Sequence, residues 1–238
     1  MFKNVQFFSL FLILLAGCGG GSNNTSGGTD NSGGSTNNTV YSPSLTLYGP
    51  LKTGKIIYKT IATSDFGAAG SAETIGTERF VFKDWGNVRL TERENESTVK
   101  TINPNTGAVT TNIESSHDLE KWVTPKNYDV NFKKEIINVV DFSSIYQSLT
   151  AEEIADSLKP TAGNNVSYVG EDVVLGYVCD VYQIGTVTLC LFNNITLKSE
   201  VNFGASIKST TVATSITFNT YILEDEFKLP SFTHVNIN

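Results

Sequence analysis

A mainly β fold follows from three features of the sequence. Its apolar side chains are rich in Val, Ile and Phe, the types that fit a pleated, half-buried surface. Short segments with a two-residue alternation recur along the chain, and clusters of Gly, Asn, Asp and Pro punctuate them at even spacing. Helical spacing interrupts this pattern in one clear place. Once a leader and a linker are set aside, about 195 residues remain, enough for a single domain over residues 45–238 with a sizeable core. A curved antiparallel sheet, a closed β-barrel and a β-sandwich all satisfy the pattern.

The first element precedes that domain. Lys3 is the one cation before an apolar run, Phe7 to Leu15, which is too short to span a bilayer stably and therefore reads as a cleaved signal over residues 1–17. The run ends in Leu15-Ala16-Gly17-Cys18. This resembles the lipobox of bacterial lipoproteins, which implies that Cys18 is acylated and becomes the mature N-terminus, anchoring the chain in the cell envelope. Gly19 follows, not the Asp that resembles an inner-membrane retention signal in some bacteria, so the outer membrane is the expected location. Residues 18–44 then form a linker of mostly Gly, Ser, Asn and Thr, with too few apolar side chains to order it. A coil of this kind has a root-mean-square reach of roughly 25 Å.

The first strand is Lys55 to Ala62, β-branched and followed by a Gly/Ala/Ser loop from Ser64 to Ser71. Glu78 to Lys83 and Val88 to Glu94 both alternate, and Asp84-Trp85-Gly86-Asn87 between them is turn chemistry, so the pair reads as a hairpin with one wet face. Further strands are expected at Thr98 to Ile102, at Ala108 to Ser115 after the turn Asn103 to Gly107, and at Glu135 to Val140. The helical break covers Asp141 to Lys159, with Phe142, Ile145, Tyr146 and Leu149, then Ile154, Ala155 and Leu158, on helical faces. Thr150-Ala151-Glu152-Glu153 is a capping-box pattern that would start the second of two short helices.

The last third reads as an antiparallel meander of Asp172 to Ile184, Thr186 to Lys198, Glu200 to Ser206 and Thr211 to Glu224, turning at Gly185, Glu200 and Ser209. Both faces of its first hairpin carry apolar residues, so both are expected to be partly covered. With Cys18 consumed by lipid, Cys179 and Cys190 remain as an even pair in an exported chain, and a disulfide between them is expected. Pairing about Ile184-Gly185 sets the two opposite each other.

Three tracts carry a second resemblance: Val174-Leu175-Gly176-Tyr177-Val178-Cys179-Asp180-Val181-Tyr182, Cys190 to Lys198, and Phe227-Lys228-Leu229-Pro230. With Phe82 to Asn87, they are similar to periplasmic proteins of the outer-membrane lipoprotein-carrier type. The resemblance implies a strongly curved antiparallel sheet, or half-barrel, whose concave face is covered by short helices over a hydrophobic cavity. Phe142, Ile145, Ile154 and Leu158 would line that cavity, and its ligand would be a lipid or the acyl chains of another lipoprotein. Carriers proper are soluble shuttles, whereas the lipobox tethers this chain. The other reading is a structural or interaction lipoprotein with a filled core and a protein partner.

Other chemistries find little support. Net charge is −7, and −8 once Lys3 leaves, which disfavours nucleic acid. His117 and His234 lack a second His or Cys at metal spacing, so no metal is expected. No G-x-S-x-G, H-E-x-x-H, P-loop or dinucleotide fingerprint occurs, so neither enzyme activity nor a cofactor is expected. Glu152-Glu153 suits a helix start and Glu224-Asp225-Glu226 a solvated strand end. Trp85, Trp122 and Tyr128 read as core aromatics before they read as a sugar platform.

Overall fold

The computed structural model describes residues 46–149, 153 and 166–237. Cys18, the leader, the linker and the expected cavity residues Ile154 and Leu158 lie outside them, as does all of the expected second helix but Glu153 and the segment after it.

One sheet of twelve strands accounts for most of the described chain. In order these are β1 (Gly54–Asp65), β2 (Gly70–Lys83), β3 (Val88–Ile102), β4 (Val109–Val123), β5 (Lys126–Asn131) and β6 (Ile136–Asp141). The short helix α1 (Ser143–Ser148) follows, then β7 (Val166–Val174), β8 (Tyr177–Ile184), β9 (Val187–Phe192), β10 (Ile195–Phe203), β11 (Ile207–Phe218) and β12 (Thr233–Ile237). The sheet order is β12-β6-β5-β4-β3-β2-β1-β11-β10-β9-β8-β7. Its edges, β7 and β12, do not pair, so this curved sheet is open, neither barrel nor sandwich. It is also mixed where an antiparallel sheet was expected, because β12 runs parallel to β6. A parallel neighbour needs a crossover, and the strap of residues 219–232 supplies it.

Antiparallel connection puts alternate turns at one end. The described chain enters at the end shared by the β2–β3, β7–β8 and β9–β10 turns, where the Tyr48 amide donates to the Trp85 carbonyl and the Asn194 side-chain amide donates to the Leu47 carbonyl at 3.0 Å. This is the near end. The β1–β2, β3–β4, β8–β9 and β10–β11 turns form the far end.

Two cores lie on opposite faces near the entry. On the first face Leu47, Tyr48 and Leu51 pack onto Ile56, Tyr58 and Phe82, with Val174, Cys179, Cys190, Ile195 and Leu197 beside them. Gly54 belongs to this packing because both strands paired with it, β2 and β11, offer an aromatic ring at its register, Phe82 and Phe218. A Cβ there would stand 2.3 Å from the Phe82 ring. On the second face Val81, Leu90, Leu119, Val130, Ile137 and Val139 enclose Phe227 of the strap. The alternation in β2 therefore serves two apolar faces: Phe82 and Val81 are both fully buried. A hairpin with one wet face was expected, and the strap is the reason it is dry on both sides at the near end.

The β2–β3 hairpin pairs Lys83 with Val88, as the turn chemistry implies. The segments expected separately at Thr98 to Ile102 and Ala108 to Ser115 are the far halves of β3 and β4, and Ser71 belongs to β2, not to a loop. Of the expected meander turns, the one at Gly185 is present between β8 and β9, and the others fall elsewhere. Leu175-Gly176 and Asn193-Asn194 are two-residue turns at positive φ, while Glu200 and Ser209 lie inside β10 and β11. Cys179 and Cys190 lie at disulfide distance on the first face, their Cα atoms 5.3 Å apart. They are diagonal neighbours, because β8 and β9 turn about Gly185-Thr186 and pair Cys190 with Val181. On the chain-entropy model closing so short a loop contributes roughly 2 to 3 kcal/mol.

The expected short helices over one face are represented by α1 alone among the described residues, with six residues. Phe142 at its start stacks on Trp122 at 5.4 Å, and Tyr146 packs against the first core.

Candidate functional site

The exposed part of this fold is the far half of β1 to β4. β2, β3 and β4 run 14 or 15 residues each, and their large buried side chains, Val81, Phe82, Leu90 and Leu119, all lie in the near halves. Beyond Leu119 towards the far end both faces of β4 are open to solvent, and Val109 and Ile113 are 62% and 66% exposed. Thr and Ser dominate here, and cross-strand hydroxyl pairs bind the strands, Thr60 to Thr211 and Thr74 to Ser97, each at 2.8 Å. A ribbon polar on both faces has no buried face to set its register. The β3–β4 turn sets it instead: the Asn103 side-chain oxygen accepts from the Asn105 and Thr106 amides, and the Gly107 amide donates to the Asn103 carbonyl.

β5 pairs with β4 only from Leu119 to Val123. The outer side of Val109–Asp118 therefore has no partner strand among the described residues. This edge carries neither proline nor lysine, and its charged side chains are Glu114 and Asp118.

Where the ribbon meets the second core, an ion-pair layer ties it to the strap. Arg79 of β2 donates to Glu92 of β3 and to Glu226 of the strap, both at 2.8 Å, and Lys55 reaches Glu226 at 2.8 Å. Lys83 pairs with Glu224 at 2.6 Å, and the Lys121 ammonium donates to the Phe227 carbonyl at 2.7 Å. Glu226 is thus no solvated strand end, because the strap lays it over two sheet cations. His117 is in β4, not a loop; its Nε2 lies 3.0 Å from Glu92 Oε1 and its ring stacks on Phe132 at 4.1 Å. Glu94, opposite His117, brings a third ligand-type group, and the three lie within 4.8 Å of one another. Glu92 already has its cation in Arg79, so the trio reads as the outer end of the ion-pair layer. It borders an open cleft of about 470 Å³ lined by Ile75, Thr77, Glu94, Glu96, Ser115 and His117. With two carboxylates, the Asn95 amide and four hydroxyl or imidazole groups on its walls, this cleft is unsuited to an acyl chain.

Burial opposes ionisation of Glu92, but hydrogen bonds from Arg79 and His117 outweigh it and hold the carboxyl below its ordinary value of 4.5. The hydrogen bond from Lys55 lowers Glu226 in the same sense, against a smaller effect of burial. A carboxyl lowered in the folded state contributes stability that is present above the unfolded value, near pH 4.5, and is lost as pH falls through the folded value. Denaturant melts of Glu226→Gln and the wild type from pH 7 to pH 3 are expected to show the variant less stable at pH 7, the gap closing below about pH 4.5. A constant gap would mean that the layer does not couple to proton binding.

The other expected site residues are not gathered. Of the expected cavity residues, Phe142 stacks on Trp122 and Ile145 is 45% exposed, while Ile154 and Leu158 lie outside the described residues. Trp122 and Tyr128 point to opposite faces, since Trp122 pairs with Asn127 and Tyr128 with Lys121, and Trp85 stands at the near-end turn. His234 lies in edge strand β12 against Tyr128.

No family model matches the chain, and no curated protein matches it. Among solved structures it is similar to an uncharacterized conserved protein from Thermus thermophilus, at 6% identity and a TM-score of 0.42, over 79% of this chain and 92% of that one.

Proposed function

We propose that this protein is a lipid-anchored envelope lipoprotein that works as an interaction module. Cys18 holds it to the membrane, and the free edge of β4 receives an extended segment of a protein partner by strand addition. One observation carries the choice over a lipid carrier. Among the described residues, the apolar faces near the entry are filled by the chain's own segments, Leu47 to Leu51 on one and the strap on the other, while the ribbon edge is left unpaired. An acyl-chain carrier needs an apolar hollow. Strand addition needs unpaired backbone amides and carbonyls, and Val109–Asp118 supplies them.

A photo-cross-linking residue at Ile113, in cells making the full chain, is expected to give a discrete protein adduct, and one at exposed Lys228 is not. Cys18→Ala is expected to abolish fatty-acid incorporation and to weaken the Ile113 adduct. Equal adducts at both positions would remove the edge from the account, and palmitate labelling of Cys18→Ala would remove the anchor.

A further inference from the structure

The near end is tipped by apolar side chains in positions where the backbone disfavours them. The β7–β8 turn is a two-residue connection, with Leu175 at φ 51° and Gly176 at φ 86°. Such turns favour Asn, Asp or Gly at the first position, because a Cβ is strained at positive φ. Leu175 occupies it and is 55% exposed. The β2–β3 turn repeats the choice with Trp85 at φ 55° and 36% exposed. Leu175 is thus a bulky residue held at positive φ with its side chain in solvent, and Trp85, partly covered by Lys52 over its ring at 5.3 Å, is a second bulky residue at positive φ. Beside these tips the strap leaves β11 with Tyr221 84% exposed and Leu223 58% exposed. Both are fixed to the same end, since the Asn219 amide donates to the Thr53 carbonyl and the Thr53 hydroxyl to the Thr220 carbonyl. At the far-end turns Gly67, Gly107, Gly185 and Gly204 take positive φ values, and the exposed Phe66 and Phe203 there lie outside the positive-φ region.

The first described residues also lie at the near end, where the Tyr48 amide donates to the Trp85 carbonyl. We infer that the near end docks on a phospholipid surface, with Trp85, Leu175, Tyr221 and Leu223 seated at the headgroup level. The inference rests on lipid anchoring at Cys18. An anchored domain on a coil of roughly 25 Å reach meets the bilayer at high effective concentration, so a few interfacial side chains suffice to orient it. Trp and Tyr are the side chains that favour the interface. Lys83 pairs with Glu224 and Lys126 with Asp141 at this end, while Lys52 lies over the Trp85 ring, and the contact inferred is the apolar one, which salt screens little. The docked end leaves the ribbon and its β4 edge pointing away from the bilayer.

The test uses the full-length acylated protein in vesicles of phosphatidylethanolamine and phosphatidylglycerol with or without brominated acyl chains. Trp122→Phe leaves Trp85 as the single tryptophan. Its emission is expected to be blue-shifted and quenched several-fold by the brominated lipid at both low and high salt. Adding Leu175→Asn, Tyr221→Ser and Leu223→Ser should remove most of that quenching while co-flotation with vesicles is unchanged. Leu175→Asn alone should melt at a higher temperature, since Asn suits the turn. Should Trp122→Phe disturb the fold, Trp85→Phe in the otherwise native chain reads the same contact by difference. Equal emission in plain and brominated vesicles, with flotation intact, overturns the docking and leaves the anchor standing. A protein that fails to float loses the anchor reading and the docking with it.

Discussion

Phe82→Ala is expected to cost about 3 to 5 kcal/mol, the range for emptying an aromatic site in a close-packed core. Its ring is fully buried, packs edge-on against Tyr48 at 4.8 Å and covers Gly54 on the paired strand. Tyr48 belongs to the segment that closes the first face, so the loss spreads from β2 to the entry of the chain. Gly54→Ala attacks the same contact from beneath and is expected to be destabilising too, because its Cβ would overlap the Phe82 ring. Urea melts measure both, with the midpoint falling at little change in slope. A loss below about 1 kcal/mol for Phe82→Ala would mean that the first face relaxes around the hole and is not close-packed.

Phe227→Ala tests the other face and is expected to cost about 3 kcal/mol. Phe227 is the strap's deepest side chain, set among Val81, Leu90, Leu119, Val130 and Ile137. The ion pairs of Glu224 and Glu226 remain in the variant, but pairs as exposed as these contribute little alone and do not replace the lost burial. The strap should then open before the rest of the sheet. Hydrogen exchange is expected to speed up across residues 224–232 and in β12, while β1 and β2 keep their protection. Uniform acceleration would instead show that strap and sheet unfold as one unit.

Local chemistry made the first hairpins legible. Alternation marks β1 and the β2–β3 hairpin, and the turns at Asp84 to Asn87 and Asn103 to Gly107 carry their own residue types. The meander failed because Leu175 stands where an Asn or Gly would have signalled a turn, and because Asn193-Asn194 sits between two apolar runs. The same two-residue uncertainty put Cys179 opposite Cys190 instead of diagonal to it. The parallel β12 and the strap were beyond local reading. Glu226 meets Lys55 across 171 residues of sequence, and only the sheet order brings them together. An acidic triplet followed by Phe looks like a strand end unless the opposing Arg79 and Lys83 are known to lie on one face. The free edge of β4 was hidden for a related reason: the expected strand ended at Ser115, and neither the full length of β4 nor the shortness of β5 shows in local alternation.

The central claim is that the apolar faces are filled by the chain itself and that the molecule binds protein, not lipid, beyond its own anchor. Native mass spectrometry of the full-length protein, extracted from membranes in mild detergent, tests it most directly. The account predicts the mass of the mature chain plus the acyl groups on Cys18, with no further lipid surviving gentle activation. A stoichiometric lipid that stays bound would contradict it and restore the carrier reading.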